Sequence, residues 1–143
     1  MPIVLAINPF PQDTEVEISR VAEWLLGPNA IWFRDSGVEI CINRYQILGE
    51  EDNLTQMFKE TISGSSGVNK VVVGAIHFKN HTEFPIPAGW QVDLIPLHEV
   101  AGVTVDGQEL NSKHHARLGN NADEDALVTV SGNFYGLVFS YRF

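Results

Sequence analysis

Apolar residues recur at helical spacing in residues 14–27. Four of them fall three or four positions apart and share one face of a helix: Ile18, Val21, Ala22 and Leu25. Thr14 precedes this stripe and is expected to cap the first turn through its hydroxyl, while Glu17 reaches back to it. Gly27 follows the stripe, in the position where glycine commonly ends a helix. The pattern predicts an amphipathic helix with one buried face.

A second, shorter helix is predicted over residues 50–62. Its apolar stripe again follows the helical period and consists of Leu54, Met57, Phe58 and Ile62. Asp52 or Asn53 is expected to cap its start, because a short polar side chain there can accept a hydrogen bond from a free backbone N–H. The Ser- and Gly-rich residues 63–67 that follow are the only stretch with the composition of a linker.

Elsewhere the apolar residues form short runs or alternate with a period of two, which is typical of β-strands. Such strands are predicted over 2–8, 69–79 and 89–98. A hairpin is predicted over 30–45, and three residues share one face of its second arm: Val38, Ile40 and Ile42. These segments give the chain a strand-rich character outside its two helices.

Turn residues divide the last part of the chain. The Asp106-Gly107 dipeptide suits a two-residue turn that requires positive φ. Residues 111–126 are polar and are predicted to form a long loop. Residues 127–143 are predicted to close the chain as a hairpin that turns at Gly132-Asn133.

Together these elements predict an α+β fold. Two helices from the N-terminal half pack on a mostly antiparallel β-sheet or sandwich, and the C-terminal half is rich in strands. We expect residues 1–143 to form a single domain, because neither half alone would bury much of its chain. The alternative is two modules hinged at residues 63–67.

The net charge of the chain limits the classes of partner that it is expected to bind. Nine Lys and Arg residues against 18 Asp and Glu residues give a net charge of −9. Such a chain repels phosphate backbones and anionic lipid surfaces, so we expect neither a nucleic acid nor a membrane as a partner. Protein partners remain, and self-association is the expected one.

Cys41 is the single cysteine and excludes an intramolecular disulfide. Because neither a signal peptide nor a membrane span is apparent, we expect the protein in the cytoplasm or in an assembly built there.

The last ten residues combine large apolar side chains with the strand period. One face of this strand is composed of Tyr135, Leu137, Phe139, Tyr141 and Phe143. This face is expected either to pack on the core of the domain or to contact another subunit, because exposed aromatic patches promote aggregation. We therefore predict an ordered C-terminal strand.

One group of basic residues stands out in the acidic chain, within the predicted loop 111–126. It consists of Lys113, His114, His115 and Arg117. The group is interpreted either as a solvated loop whose charges are offset by the acidic residues 123–125, or as a binding site for an anion or a protein partner.

The sequence carries no motif that identifies a catalytic residue, a cofactor or a metal. His77 and His81 have a spacing that suits a metal ion on a helix, and Glu83 is close by. Because this segment is predicted as a strand, residues four positions apart lie about 13 Å from each other, and no metal site is predicted. No nucleophile elbow and no phosphate-binding glycine loop occurs in the sequence.

These observations favour a non-enzymatic structural or binding subunit that forms homo-oligomers, such as an accessory protein of a virus particle or of another large assembly. A first alternative is an acidic inhibitor or immunity-type protein that captures a basic partner. A second alternative is a β-rich protein that binds a small ligand or a metal, with polar groups that converge only in the folded chain.

Overall fold

The computed structural model describes residues 3–35, 37–49, 52–61 and 70–142. The N-terminal half contributes strand β1 (Ile3–Pro9), helix α1 (Glu15–Leu25), strands β2 (Trp32–Asp35) and β3 (Val38–Cys41), and helix α2 (Asn53–Lys59). The next strands are β4 (Lys70–Phe78), β5 (His81–Ile86), β6 (Trp90–Pro96), β7 (Thr104–Val105) and β8 (Gln108–Glu109). The chain ends with β9 (His114–Asn120), β10 (Ala126–Ser131) and β11 (Phe134–Arg142). The predicted α+β class, with its strand-rich C-terminal half, is confirmed.

The strands form two antiparallel sheets. A seven-stranded sheet has the order β1-β9-β6-β11-β4-β3-β2, and a four-stranded sheet has the order β5-β10-β7-β8. β11 lies in the interior of the larger sheet, where it pairs with β4 on one side and with β6 on the other. β2 pairs with β3 and forms one edge of the larger sheet.

Two apolar cores lie on opposite faces of the larger sheet. On one face the apolar stripe of α1, together with Leu54 and Phe58 of α2, packs against side chains of β4 and β11 such as Val73 and Phe139. Ile62, the last residue of the predicted α2 stripe, lies outside the described residues. The smaller sheet packs on the other face, where Val128 and Val130 of β10 belong to the same cluster as Val138 of β11. Because alternate residues of a strand point to opposite faces, both sides of β11 are buried. Residues from both halves of the chain contribute to the first core; the predicted hinge at residues 63–67 lies outside the described residues.

Several predicted local features are confirmed. β2 and β3 form the predicted hairpin, and Asp52 caps α2 by accepting a hydrogen bond from the backbone N–H of Leu54 at 3.0 Å. The turn between β7 and β8 has positive φ at both Asp106 and Gly107, with values of 47° and 80°. Two residues in this conformation match the twist of the flanking strands, which is why the dipeptide predicts the turn.

The predicted cap of α1 is wrong. The Thr14 hydroxyl donates a 2.7 Å hydrogen bond to the carbonyl oxygen of Pro11, and the residue already has helical backbone angles. Glu17 accepts a hydrogen bond from Arg20 at 2.9 Å instead of reaching back to the first turn. The turn preceding the helix therefore competes for the hydroxyl that a cap would need.

The predicted loop over 111–126 is also wrong, because β9 runs through it between β1 and β6. Only Ala116 and Leu118 supply apolar residues at the strand period, and histidine and arginine occupy the opposite face.

The predicted final hairpin over residues 127–143 is wrong as well. β10 pairs with β5 and β7 in the smaller sheet, whereas β11 pairs in the larger one. The chain changes sheets at Gly132.

Candidate functional site

A buried polar cluster lies across three neighbouring strands, on the face of the larger sheet that carries the helices. Asp93 of β6 is at its centre with none of its surface exposed. Arg117 of β9 lies directly opposite in the register and binds both carboxylate oxygens, Nε to Oδ1 at 2.8 Å and Nη2 to Oδ2 at 2.9 Å. The Tyr141 hydroxyl donates to Oδ2 at 2.9 Å, and Arg117 also binds the hydroxyl of Thr61 at 2.6 Å. The carboxylate is thus fully engaged by side chains of adjacent strands.

His115 borders this cluster and is 2% exposed. Its Nδ1 lies 3.3 Å from Oδ1 of Asp93, within the range of an ion pair, but with an orientation that makes no hydrogen bond. The ring packs edge-on against Phe58 of α2, with 5.3 Å between ring centroids. The imidazole therefore fills space between the helix layer and the sheet.

The charges of the cluster follow from its contacts. Burial alone raises the pKa of Asp93, but the adjacent imidazole of His115 and the guanidinium of Arg117 together outweigh burial and lower it. For Arg117, burial acts to lower the pKa, and the hydrogen bonds to Asp93 raise it above its usual range. Burial, followed by the adjacent carboxylate, raises the pKa of Tyr141. Near neutral pH the cluster is an ion pair with a neutral phenol beside it, and it stabilises the packing of three strands.

The structure divides the predicted basic group into two pairs. His115 and Arg117 point into the buried cluster, so they are not on an exposed loop. Lys113 directly precedes β9, and His114 is its first residue. Lys113 lines a cleft of about 350 Å³ between the end of β6 and the beginning of α1. Lys113 Nζ is 3.7 Å from a carboxylate oxygen of Glu15, and Glu99 also lines the cleft. Two carboxylates against one lysine make this cleft unfavourable for an anion.

The predicted final strand is ordered over Phe134–Arg142, and most of its large face lies in the first core. None of the surface of Leu137, Phe139 or Tyr141 is exposed. Tyr135 is partly buried, stacked on His77 at 3.9 Å between ring centroids. Phe143 lies outside the described residues. The apolar face thus packs on the domain itself, and its contact with another subunit stays a prediction.

The histidines considered for a metal are separated. His77 donates from Nδ1 to Glu39 at 2.8 Å, and its Nε2 faces the side-chain oxygen of Asn133 at 2.8 Å. The hydrogen bond from His77 lowers the pKa of Glu39. His81 is exposed on β5, in the other sheet. Within the described ranges, no three His, Cys, Asp or Glu side chains converge in a way that could hold a metal ion.

An uncovered apolar surface lies at the β2 end of the larger sheet. It consists of Ile31, Phe33, Ile42 and Val72, whose exposed fractions are 54%, 61%, 56% and 40%. We call these four residues the apolar strip. The backbone N–H of Ile42 donates to the carbonyl of Ile31, which places the two residues side by side at the open end of the hairpin.

The register shows that the apolar strip is on the face opposite the helices. Phe33 pairs with Ile40, and Ile40 pairs with Ile76 of β4. Ile76 borders the second core, so this row points toward the smaller sheet. Val72 lies four residues from Ile76 on the same face of β4. Between them Gly74 adds to the opening, because a Cβ built on it meets no atom within 4 Å.

The smaller sheet does not reach this end of the larger one. Its cluster includes Val38 and Ile76 as partly buried members, whereas Phe33, Ile42 and Val72 belong to neither core. The sequence places Val38, Ile40 and Ile42 on one face, as observed, but periodicity carries no information on which part of that face a second layer covers. The apolar strip is the residue group that sequence analysis missed.

The described helices include none with the length and apolarity needed to cross a membrane. No protein-family model matches the sequence, and no curated protein is detectably similar to it.

Proposed function

We propose that this protein is a non-enzymatic subunit that works by binding protein, its own copies included, and contributes in this way to a larger assembly. The apolar strip is the observation that carries the proposal. Its four side chains are neighbours on one face of a sheet, and each is 40–61% exposed. Contiguous apolar surface of this kind on a folded domain marks interaction sites, because water disfavours it and a partner removes it from water.

The position of the apolar strip supports a protein as the partner. It flanks β2, an edge strand that is four residues long and carries Arg34 and Asp35. Short, charged edges discourage uncontrolled strand addition. The flat apolar face beside the edge is therefore the larger attractive surface, and a flat surface suits another protein better than a small ligand, which needs a concave site.

The polar groups of the domain support a non-enzymatic role. Asp93 and His115, which would be the natural acid–base pair, are 0% and 2% exposed. Both oxygens of Asp93 are engaged by Arg117. A general base must lie within hydrogen-bond distance of a substrate proton, and this pair is closed off by the α2 layer, where Phe58 covers His115.

The experiment compares two variants with matched exposure. Phe33 in the apolar strip is 61% exposed, and Leu127 on β10 is 60% exposed but outside it. We expect the native chain to form oligomers that dissociate on dilution, Phe33→Asp to be monomeric, and Leu127→Asp to behave as the native chain. Sedimentation velocity over a series of concentrations measures all three. A native chain that stays monomeric at the highest concentration and co-purifies with no other protein would contradict the proposal.

A further inference from the structure

We infer that the outer edge of β1 is a docking site for an extended segment of another protein, which pairs with it as an additional antiparallel strand of the larger sheet. The segment has apolar side chains at alternate positions and carries lysine or arginine at both ends. The site is at the end of the sheet order opposite the apolar strip, so the inference goes beyond the proposed function and does not depend on it.

β1 is an open edge of the larger sheet. In the strand order it has a neighbour on one side only, which is β9. It covers seven residues, and their sequence IVLAINP contains no charged residue. β2, at the other edge, is four residues long and contains Arg34 and Asp35. Short and charged edge strands resist the addition of a further strand, and β1 lacks both of these protections.

The backbone groups of β1 alternate between the two sides of the strand. The N–H of Phe10, directly after β1, donates to the carbonyl oxygen of Lys113 at 2.9 Å. Hydrogen-bonded and non-hydrogen-bonded positions alternate along an antiparallel pair, so every second residue back from Phe10 directs its N–H and C=O groups at β9. Leu5 and Ile7 lie at the intervening positions. Their N–H and C=O groups therefore point away from the sheet.

Leu5 and Ile7 are the positions at which an added strand pairs. Within the described parts of the chain, no hydrogen bond reaches their outward-facing N–H and C=O groups. Each residue thus offers one donor and one acceptor. Pro9, two positions further along, offers only its carbonyl oxygen, and proline is tolerated in edge strands where the missing N–H falls on the open side. Pro9 marks the end of the accessible ladder.

The side chains of β1 indicate why the added segment is apolar at alternate positions. Leu5 pairs with Leu118 and Ile7 pairs with Ala116, and both partners belong to the second core. Leu5 and Ile7 pack against this core but stay partly exposed at the open edge. Residues directly opposite each other in an antiparallel pair have neighbouring side chains on the same face. An apolar residue opposite each of them extends the sandwich by one strand.

The end of β1 at Pro9 is acidic. Asp13 and Glu15 follow within six residues, and both are exposed. Lys113 is also at this end, with its Nζ 3.7 Å from a carboxylate oxygen of Glu15. One lysine against two carboxylates leaves an excess of negative charge beside the accessible backbone groups.

The end of β1 at Ile3 is acidic as well. Ile3 pairs with Asn120, the last residue of β9. The side chain of Asn120 accepts a hydrogen bond from the backbone N–H of Ala122 and donates one to the carbonyl oxygen of Glu124, both at 2.9 Å. These bonds hold the following turn at this end of the sheet, and the turn contains three exposed acidic residues in succession, 123–125. A segment with a basic residue at each end is complementary to both ends of β1.

The same charges favour a different protein over a second copy of this chain. Two copies that paired their β1 strands antiparallel would bring the Pro9 end of one to the Ile3 end of the other. Carboxylates would then face carboxylates at both ends of the contact, between two chains with a net charge of −9 each. Like charges opposed across an interface disfavour that pairing, whereas the negative field attracts a basic segment.

The probe for this site is a synthetic peptide of alternating valine and threonine with two lysines at each end. We expect the full chain to bind it, as measured by fluorescence anisotropy of the labelled peptide. The same peptide with glutamate in place of lysine is expected to bind about 10-fold more weakly or worse. Hydrogen exchange followed by nuclear magnetic resonance is expected to show that the bound peptide slows exchange of the Leu5 and Ile7 amides.

A matched pair of variants tests the backbone contact. Ile7→Pro removes the outward N–H and leaves the hydrogen bonds to β9 in place, so we expect it to weaken peptide binding about 10-fold or more. Ile7→Ala keeps the N–H, loses most of the side chain and is expected to weaken binding less. Thermal melting reports whether each variant is folded, and the exchange measurement on the native chain needs no variant.

Peptide binding with protection of the Leu5 and Ile7 amides and a specific loss in Ile7→Pro confirms the inference. It is wrong if the lysine peptide does not bind at millimolar concentration, if Ile7→Pro weakens binding no more than Ile7→Ala, or if the glutamate peptide binds equally well. It is also wrong if Ile7→Pro dissociates native oligomers in sedimentation velocity, because a second copy then occupies the edge. Phe33→Asp is expected to bind the peptide like the native chain, so the proposed function is tested separately.

Discussion

At the scale of single residues, Asp93 carries the buried negative charge of the polar cluster. It is fully buried, and its carboxylate is bound by a guanidinium and a phenol. An isolated charge in such a place would cost several kcal/mol, and the paired guanidinium and the hydrogen bonds offset that cost. Removing the charge therefore leaves Arg117 without its counter-ion while the surrounding strands keep their positions.

We predict that Asp93→Asn lowers the free energy of unfolding by about 2–3 kcal/mol near neutral pH, as expected when a charged hydrogen-bond partner is lost. Urea denaturation of the two proteins measures the difference. Glu17→Gln removes a partly exposed carboxylate that pairs with Arg20 and serves as the control. Its expected cost is below about 1 kcal/mol. Equal losses in the two variants would contradict the role of the buried cluster.

The same pair of proteins gives a pH dependence with a definite sign. The pKa of Asp93 is lowered in the folded chain, whereas in the unfolded chain it is near 3.9. The contribution of this carboxylate to the free energy of unfolding is thus fully present above about pH 5. It is lost as the pH falls toward the lower pKa of the folded chain, because the unfolded chain takes up the proton first. The difference between native and Asp93→Asn should shrink over that range. A constant difference would show that the charge of Asp93 is not responsible.

Sequence analysis identified part of this cluster and misjudged its setting. His115 and Arg117 belong to the predicted basic group, whereas Asp93 lies within the predicted strand 89–98 without any signal that singles it out. Alternation predicts that Asp93 and Trp90 point to opposite faces, as they do, but it cannot tell whether the polar face meets water or a second layer. The answer depends on Arg117, 24 residues away, and on Tyr141, 48 residues away.

At the scale of elements, the connection between β10 and β11 decides how the two sheets are joined. A hairpin would place both strands in one sheet, but at this point the chain crosses from the smaller sheet to the larger one. Gly132 has φ of 124°, and a Cβ built on it would lie 2.9 Å from Cγ2 of Val103. Both the backbone angle and the close approach of another segment require glycine here.

We predict that Gly132→Ala lowers the free energy of unfolding by about 1–3 kcal/mol, because the alanine is strained in this conformation and overlaps Val103. Gly119→Ala is the matched control. A Cβ on Gly119 meets no atom within 4 Å, and its φ is outside the positive range. Its effect should stay within about 0.5 kcal/mol. Thermal or urea unfolding distinguishes the two variants, and a tolerated Gly132→Ala would argue against the sheet-crossing corner.

Elements with strong local signals were predicted well. The stripes of α1 and α2, the β2–β3 hairpin and the Asp106-Gly107 turn all follow from residues within one or two turns of each other. β9 was missed because its strand period is carried by two apolar residues among histidine, arginine and glycine. Its pairing with β1 and β6, far away in sequence, gives it the strand conformation.

At the scale of the whole molecule, β11 lies at the centre of three layers. It pairs on both sides, and both of its faces are buried by the helices and by the smaller sheet. β2, at the edge, has one pairing partner and an exposed apolar residue. Stability to local opening should therefore differ strongly between β11, in the interior of this sheet, and β2, at its edge.

We predict that the backbone amides of residues 137–141 exchange with solvent only through global unfolding, whereas those of residues 32–35 exchange much faster. Hydrogen exchange followed by mass spectrometry, at a dilution where the chain is monomeric, compares the two segments directly. Rapid exchange in the last strand of a chain that otherwise stays folded would contradict its central position.

The sequence by itself determined the two helices and the strands with a clear two-residue period, the apolar faces of those elements, the glycine turn and the acidic charge. Each of these depends on neighbouring residues or on composition alone. Tertiary structure decided which strands pair, that β10 and β11 belong to different sheets, that Asp93 is buried against Arg117, and that the apolar strip stays uncovered. The physical reason is that a two-residue period fixes the two faces of a strand, whereas the solvent or layer that each face meets depends on segments far away in the chain.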